Sequence, residues 1–240
     1  MGRNMKTRTV LQCVAAILLA TAVCLANGAS GLLDAVKRRD HKALKSFIEA
    51  RADVNVAQGD GATALAWAIY LNDQEAAEML LNAGAKVNTS DKYGETPLTL
   101  ACGANNPALV KRLVEAGADV NAERWDGTTV LMIAANSGSP DAVKLLLDRG
   151  AKVNAVESRK GQTALMWAAD EGHSEAVGLL IKYGADVKTV SKTGYSALIF
   201  AAAKNDAKSV AQLIAAGADP NTKLPDGSSV LIAAATFHST

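Results

Sequence analysis

Asp170, Glu171 and His173 stand within four consecutive positions. Carboxylates beside an imidazole are the raw material of proton transfer or of metal binding. They fall at one short helix end, however, with no second cluster at ligand spacing, which argues against a catalytic or metal site. His41 and His238 stand far from it and from each other. Cys102, in Leu100-Ala101-Cys102-Gly103, could supply a thiolate. Segments in the same phase carry Ala or Ile at that place, which makes it a small buried apolar residue. Gly194-Tyr195-Ser196 has the look of a nucleophile turn, but the same triplet recurs along the chain as part of a repeat. No glycine-rich phosphate loop of either common type is present. The chemistry-bearing residues therefore predict no enzyme, no cofactor and no metal site.

What positions these residues is a period. Gly-x-Thr/Ser-x-Leu, or a close variant of it, begins at Gly61, Gly94, Gly127, Gly161, Gly194 and Gly227, at spacings of 33, 33, 34, 33 and 33 residues. A second glycine recurs at Gly84, Gly117, Gly150, Gly184 and Gly217, followed by stretches such as Ala85-Lys86-Val87-Asn88. Several independent positions keep one phase, which is the mark of a repeat architecture. In one unit, Thr96 can cap a helix that opens at Pro97 and continues through Leu98, Leu100 and Ala101. Asn105-Asn106-Pro107 breaks the chain, a second helix runs from about Ala108 to Glu115, and Gly117 ends it. Val120 to Gly127 then forms an extended, turn-rich finger. Neither helix can bury its apolar face alone, whereas stacked neighbours can. The 47 alanines, set against ten aromatic residues, fit helices that approach closely.

Gly94-Glu95-Thr96-Pro97-Leu98 and Gly117-Ala118-Asp119-Val120-Asn121-Ala122 resemble the opening and closing signatures of the ankyrin-repeat family. The resemblance implies an all-α solenoid of helix-turn-helix units with β-hairpin-like finger loops. Repeats fall at 61–93, 94–126, 127–160, 161–193 and 194–226, with a capping repeat at about 28–60 and a half-repeat cap at 227–240. Arg51 replaces the helix-ending glycine in the capping repeat, leaving that turn either strained or differently shaped. The family's usual histidine after Thr-Pro-Leu is replaced by Ala66, Thr99, Met132, Met166, Ile199 and Ile232. Apolar packing is therefore expected to hold the fingers. Trp67 and Trp167 share a position with Leu100, Ile133 and Phe200, expected to face the helical core.

Residues 1–26 carry Arg3, Lys6 and Arg8, an apolar run and small residues at the end, the pattern of a secretory leader cleaved after Ala26. The domain is then 27–240, and the expected location is the bacterial periplasm or the exterior. The full chain has a formal net charge of +1, which becomes −2 once those three bases are gone. That balance disfavours a nucleic-acid partner, and a single long uncharged segment excludes a multi-pass membrane protein.

The resemblance implies a binding surface for another protein, made by finger tips and the first helix of each repeat. The residues placed there are Tyr70, Lys92, Tyr93, Trp125, Asp126, Arg159, Lys160, Lys192 and Tyr195. Tyr70, Tyr93, Trp125 and Tyr195 are expected to be exposed anchors. The extra residue near Ser158-Arg159-Lys160 gives a basic tip suited to an acidic patch. The expected partner is an unidentified protein, engaged by a monomer that keeps no membrane contact after leader removal. Two alternatives stand beside this: an effector exported into another cell, and a structural element self-associating through an open C-terminal end near Leu231, Ile232 and Phe237.

Overall fold

Thr63, Thr96, Thr129 and Thr163 lie in extended backbone, and each side chain accepts the N–H three residues on, from Ala66, Thr99, Met132 and Met166. A hydroxyl in that place satisfies one of the donors that a helix start leaves open. In the computed structural model, which describes residues 31–223 and Gly227, each of these threonines opens the first helix of a repeat. The expected leader at 1–26, the C-terminal end proposed for self-association and nearly all of the half-repeat cap lie outside the described residues.

The described residues form twelve helices, α1 (31–37), α2 (His41–Glu49), α3 (Ala64–Tyr70), α4 (Gln74–Asn82), α5 (Pro97–Gly103), α6 (Pro107–Glu115), α7 (Val130–Ser137), α8 (Pro140–Asp148), α9 (Ala164–Glu171), α10 (Ser174–Lys182), α11 (Ala197–Ala203) and α12 (Ala207–Ala215). From α2 on they are seven to nine residues long, too short to persist alone in water, so tertiary packing must supply their stability. Between consecutive repeats the chain turns through fingers with single antiparallel bridges at Ala57–Thr63, Glu123–Thr129 and Val190–Ser196. The fold is an all-α repeat solenoid, as the periodicity indicates.

Two compact units divide the chain, the first ending at Lys86 and the second beginning at Val87. In the first, α4 packs on both α2 and α3. In the second, α5, α7, α9 and α11 pack side by side in that order, and so do α6, α8, α10 and α12. Ala68 in the first unit, and Ala101, Ala134, Ala135, Ala168, Ala169 and Ala201 in the second, are fully buried at the centres of first helices. The alanine excess is thus the packing requirement of neighbouring backbones. Each second helix ends at a left-handed residue, as at Gly117 (φ 90°) and Gly184 (φ 86°). Arg51 takes the same handedness at φ 57°, in the narrow region open to residues with a Cβ. The turn lacking its glycine therefore keeps the shape of the others.

Asparagine joins consecutive repeats at four junctions. The Asn88 side chain accepts the Asp119 N–H at 2.8 Å and donates to the Gly117 carbonyl at 3.1 Å. Asn121 does the same with Lys152 and Gly150 at 2.9 and 3.2 Å, and Asn154 with Asp186 and Gly184 at 2.8 and 3.0 Å. In the first unit Asn55 holds Lys86 and Gly84 at 2.7 and 3.3 Å. That unit has a second tie: His41 on α2 bridges Asp73 (Nε2–Oδ2 2.7 Å) and Glu75 (Nδ1–Oε2 2.9 Å) at the start of α4. Its hydrogen bond to Asp73 raises the imidazole pKa above the ordinary value. Burial alone would push Asp73 up, but the His41 hydrogen bond, the Ala76 N–H and the neighbouring positive charges hold it below the ordinary carboxylate value.

Candidate protein-interaction site

The finger tips of the second unit are joined rung to rung by backbone hydrogen bonds. Trp125 N–H donates to the Tyr93 carbonyl at 3.2 Å, Ser158 N–H to that of Asp126 at 2.8 Å, and Lys192 N–H to that of Lys160 at 2.8 Å. The Ser158 hydroxyl adds a bond to the Asp126 carbonyl at 2.7 Å, and the Lys192 ammonium donates to the Ser158 carbonyl. Inter-finger bonding therefore holds the tips, a correction to the expectation that apolar packing would. At Thr99, moreover, the hydroxyl takes over a polar role, accepting the Thr96 N–H at 2.7 Å and donating to Glu95 at 2.8 Å. Glu95 in turn pairs with Arg124 of the adjoining finger.

On this frame Trp125 is 70% and Tyr93 53% exposed, and they occupy directly bonded rungs. Lys92 places its ammonium 4.9 Å from the Tyr93 ring centroid, within cation–π range. Asp126 is half-buried. Its carboxylate accepts the Thr128 N–H at 3.0 Å, and burial's upward push is outweighed by the bonds from Thr128 and by the Arg124 charge, leaving its pKa low. That carboxylate shapes the turn. Arg159, Lys160 and Lys192 are exposed on two bonded fingers. Tyr70, in the first unit, is 65% exposed and meets Trp67 edge-on at 5.6 Å. Tyr195 departs from expectation: it is half-buried, because its ring lies against Phe200 at 5.8 Å.

The basic tip has a buried support that the sequence did not disclose. Glu157 is 3% exposed, and its carboxylate accepts the N–H groups of Arg159 (2.6 Å), Lys160 (2.8 Å) and Gln162 (2.9 Å). Equivalent fingers close with a shorter side chain, as Asp91 does on Tyr93 and Glu95. The longer glutamate is what spans a loop with one more residue. The only mark of it in the sequence is the single 34-residue spacing.

Trp67 and Trp167 are half-buried rather than core residues. In the second unit Leu100, Trp167 and Phe200 are half-buried and Ile133 is 6% exposed, all at one register position on α5, α7, α9 and α11. They make an apolar stripe along the first helices. Trp167 Nε1 is shielded from solvent and has no hydrogen-bond partner. In the first unit, Trp67 lies under the Lys37 ammonium at 4.4 Å.

The residues suspected of chemistry are placed otherwise. Gly172 ends α9 in the left-handed conformation, and His173 puts Nε2 3.0 Å from the Asn136 carbonyl. Glu171 approaches Lys204 at 3.8 Å, and burial, followed by the Glu171 charge, raises the Asp170 pKa. Among the described residues no three His, Cys, Asp or Glu side chains converge as metal ligands, and no helix is long and apolar enough to cross a membrane. Cys102 is fully buried, and burial pushes its thiol up to about 12.

Stacked helix pairs with a bonded row of finger tips define a class: repeat solenoids that act as general protein–protein interaction modules and are not typically enzymes. The family model for ankyrin repeats in three copies matches residues 9–91, 32–124, 88–157 and 123–191, and that for a single ankyrin repeat matches 193–223. The chain belongs to the ankyrin-repeat family. Among solved structures it is similar to the ankyrin repeat domain of Bcl-3, described as a unique member of the IkappaB protein family. The two are 26% identical, the match covers 88% of this chain and 98% of that one, and the TM-score is 0.70. No curated protein matches the chain.

Proposed function

We propose that this protein is a non-enzymatic adaptor of the cell envelope. It binds a protein partner across the finger tips of residues 92–93, 125–126, 159–160 and 192, together with the apolar stripe of α5, α7, α9 and α11. The observation that carries the reading is the bonded pair of rungs presenting Tyr93 and Trp125. Large aromatic side chains held on a rigid frame lose little freedom on binding and are typical energetic centres of interfaces. Arg159, Lys160 and Lys192 extend the same row. The Glu157 charge beneath them is buried and engaged by backbone N–H groups, so an acidic segment of the partner is the matching chemistry. Placement in the envelope rests on the basic, apolar and small-residue order of residues 1–26.

The test is capture from envelope extracts with wild-type chain, a Tyr93→Ala/Trp125→Ala double variant and an Arg159→Glu/Lys160→Glu double variant. Proteins retained by wild type and lost from both variants, at unchanged circular dichroism, support the site. An identical retained set for all three chains refutes it.

A further inference from the structure

The asparagine clamp that joins consecutive repeats is missing at one seam. Lys188 occupies the place held by Asn55, Asn88, Asn121 and Asn154 in the preceding units. A lysine ammonium donates but cannot accept, so it cannot take the N–H of Asp219 as the asparagines take those of Lys86, Asp119, Lys152 and Asp186. A partly open pocket of about 220 Å³ lies at that seam, lined by Lys188, Val190, Leu198, Gly217, Asp219 and Thr222 among others.

A second feature of the same boundary points the same way. Gln212 on α12 lies over Gly178 of α10, and its Oε1 is shielded from solvent without a hydrogen-bond partner. A buried acceptor left unmade costs stability that a paired one would not.

We propose that the boundary between repeats 161–193 and 194–226 is a built opening point. Residues 194–223 detach there as a unit while the repeats before them stay folded, and Lys188 sets the ease of opening. In a solenoid each repeat is held by its own helices and its neighbours, so a seam weakened on one side opens without dissolving the rest. Opening exposes the inner side of α9 and α10 at the fingers that carry Lys160 and Lys192.

Amide hydrogen exchange on the full chain tests this. In the wild type, peptides from 197–215 exchange faster than those from 164–182. Lys188→Asn restores two hydrogen bonds and slows exchange across 197–215 about tenfold, leaving 164–182 unchanged. Asn154→Lys, which copies the defect one repeat earlier, brings 164–182 up to the rate of 197–215, so that the two repeats open together. Equal wild-type rates in the two regions, or a Lys188→Asn chain whose 197–215 peptides exchange as before, would overturn the proposal.

Discussion

The imidazole of His173 lies where a side chain on Gly138 would begin. A Cβ built on that glycine would stand 2.6 Å from Nδ1 and from Nε2, while the ring holds the Asn136 carbonyl at 3.0 Å. The histidine that first suggested proton chemistry thus closes the end of α7 from the following repeat. Gly138→Ala adds both a left-handed backbone cost, about 1–2 kcal/mol, and an overpacking cost of about 1–3 kcal/mol. Gly84→Ala, at φ 86° with open space around it, adds only the first. Urea midpoints should therefore fall further for Gly138→Ala, and equal shifts would show that the ring moves aside freely.

Glu157 should be the most sensitive position of its finger. Glu157→Ala leaves three loop N–H groups without their carboxylate and should cost about 2–3 kcal/mol. Limited proteolysis should then cut between residues 157 and 162 first. Cleavage elsewhere at the wild-type rate, with this loop still resistant, would show that the inter-finger bonds suffice.

The His41 bridge makes the first unit sensitive to pH. Its folded pKa lies above the ordinary 6.5, so its stabilisation is complete below that value and is lost as pH rises through the folded pKa. Asp73 lies below its ordinary 3.8, so its share is present above that value and is lost as pH falls through the folded pKa. The bridge operates between those limits, with Arg39 adding positive charge near Asp73. Protection of α2 amides should decline from pH 6 towards alkaline pH in wild type, and His41→Gln should flatten the decline. A decline of the same slope in both chains would assign it elsewhere.

Cys102 should be inert to thiol reagents until the chain unfolds, since burial both excludes the reagent and raises its pKa to about 12. In a Cys13→Ser/Cys24→Ser chain, labelling should follow the unfolding transition. Rapid labelling of the native chain would contradict the burial.

The period, the helix pairs and the capping threonines were legible because backbone geometry restricts which residues can start or end a short helix. Exposure of Trp125 and Tyr93 was legible for the same reason, since fingers place those positions away from the helices. The half-burial of Tyr195 and Trp167 was not legible, because it depends on Phe200 and on neighbouring first helices, which one repeat's pattern does not contain. The role of Glu157 was not legible, because its partners are backbone N–H groups that no residue type advertises. The recurring Val-Asn marks the family in the sequence, and its task lies in the bonds of Asn88 to Gly117 and Asp119, which the pattern does not contain.

That task has a further consequence. Each clamp addresses one amide and one carbonyl, groups that any amino acid other than proline supplies, and it never consults a neighbour's side chain. The clamp therefore makes no demand on the side chains of the repeat it holds, and Lys188 marks the one described junction that lacks it.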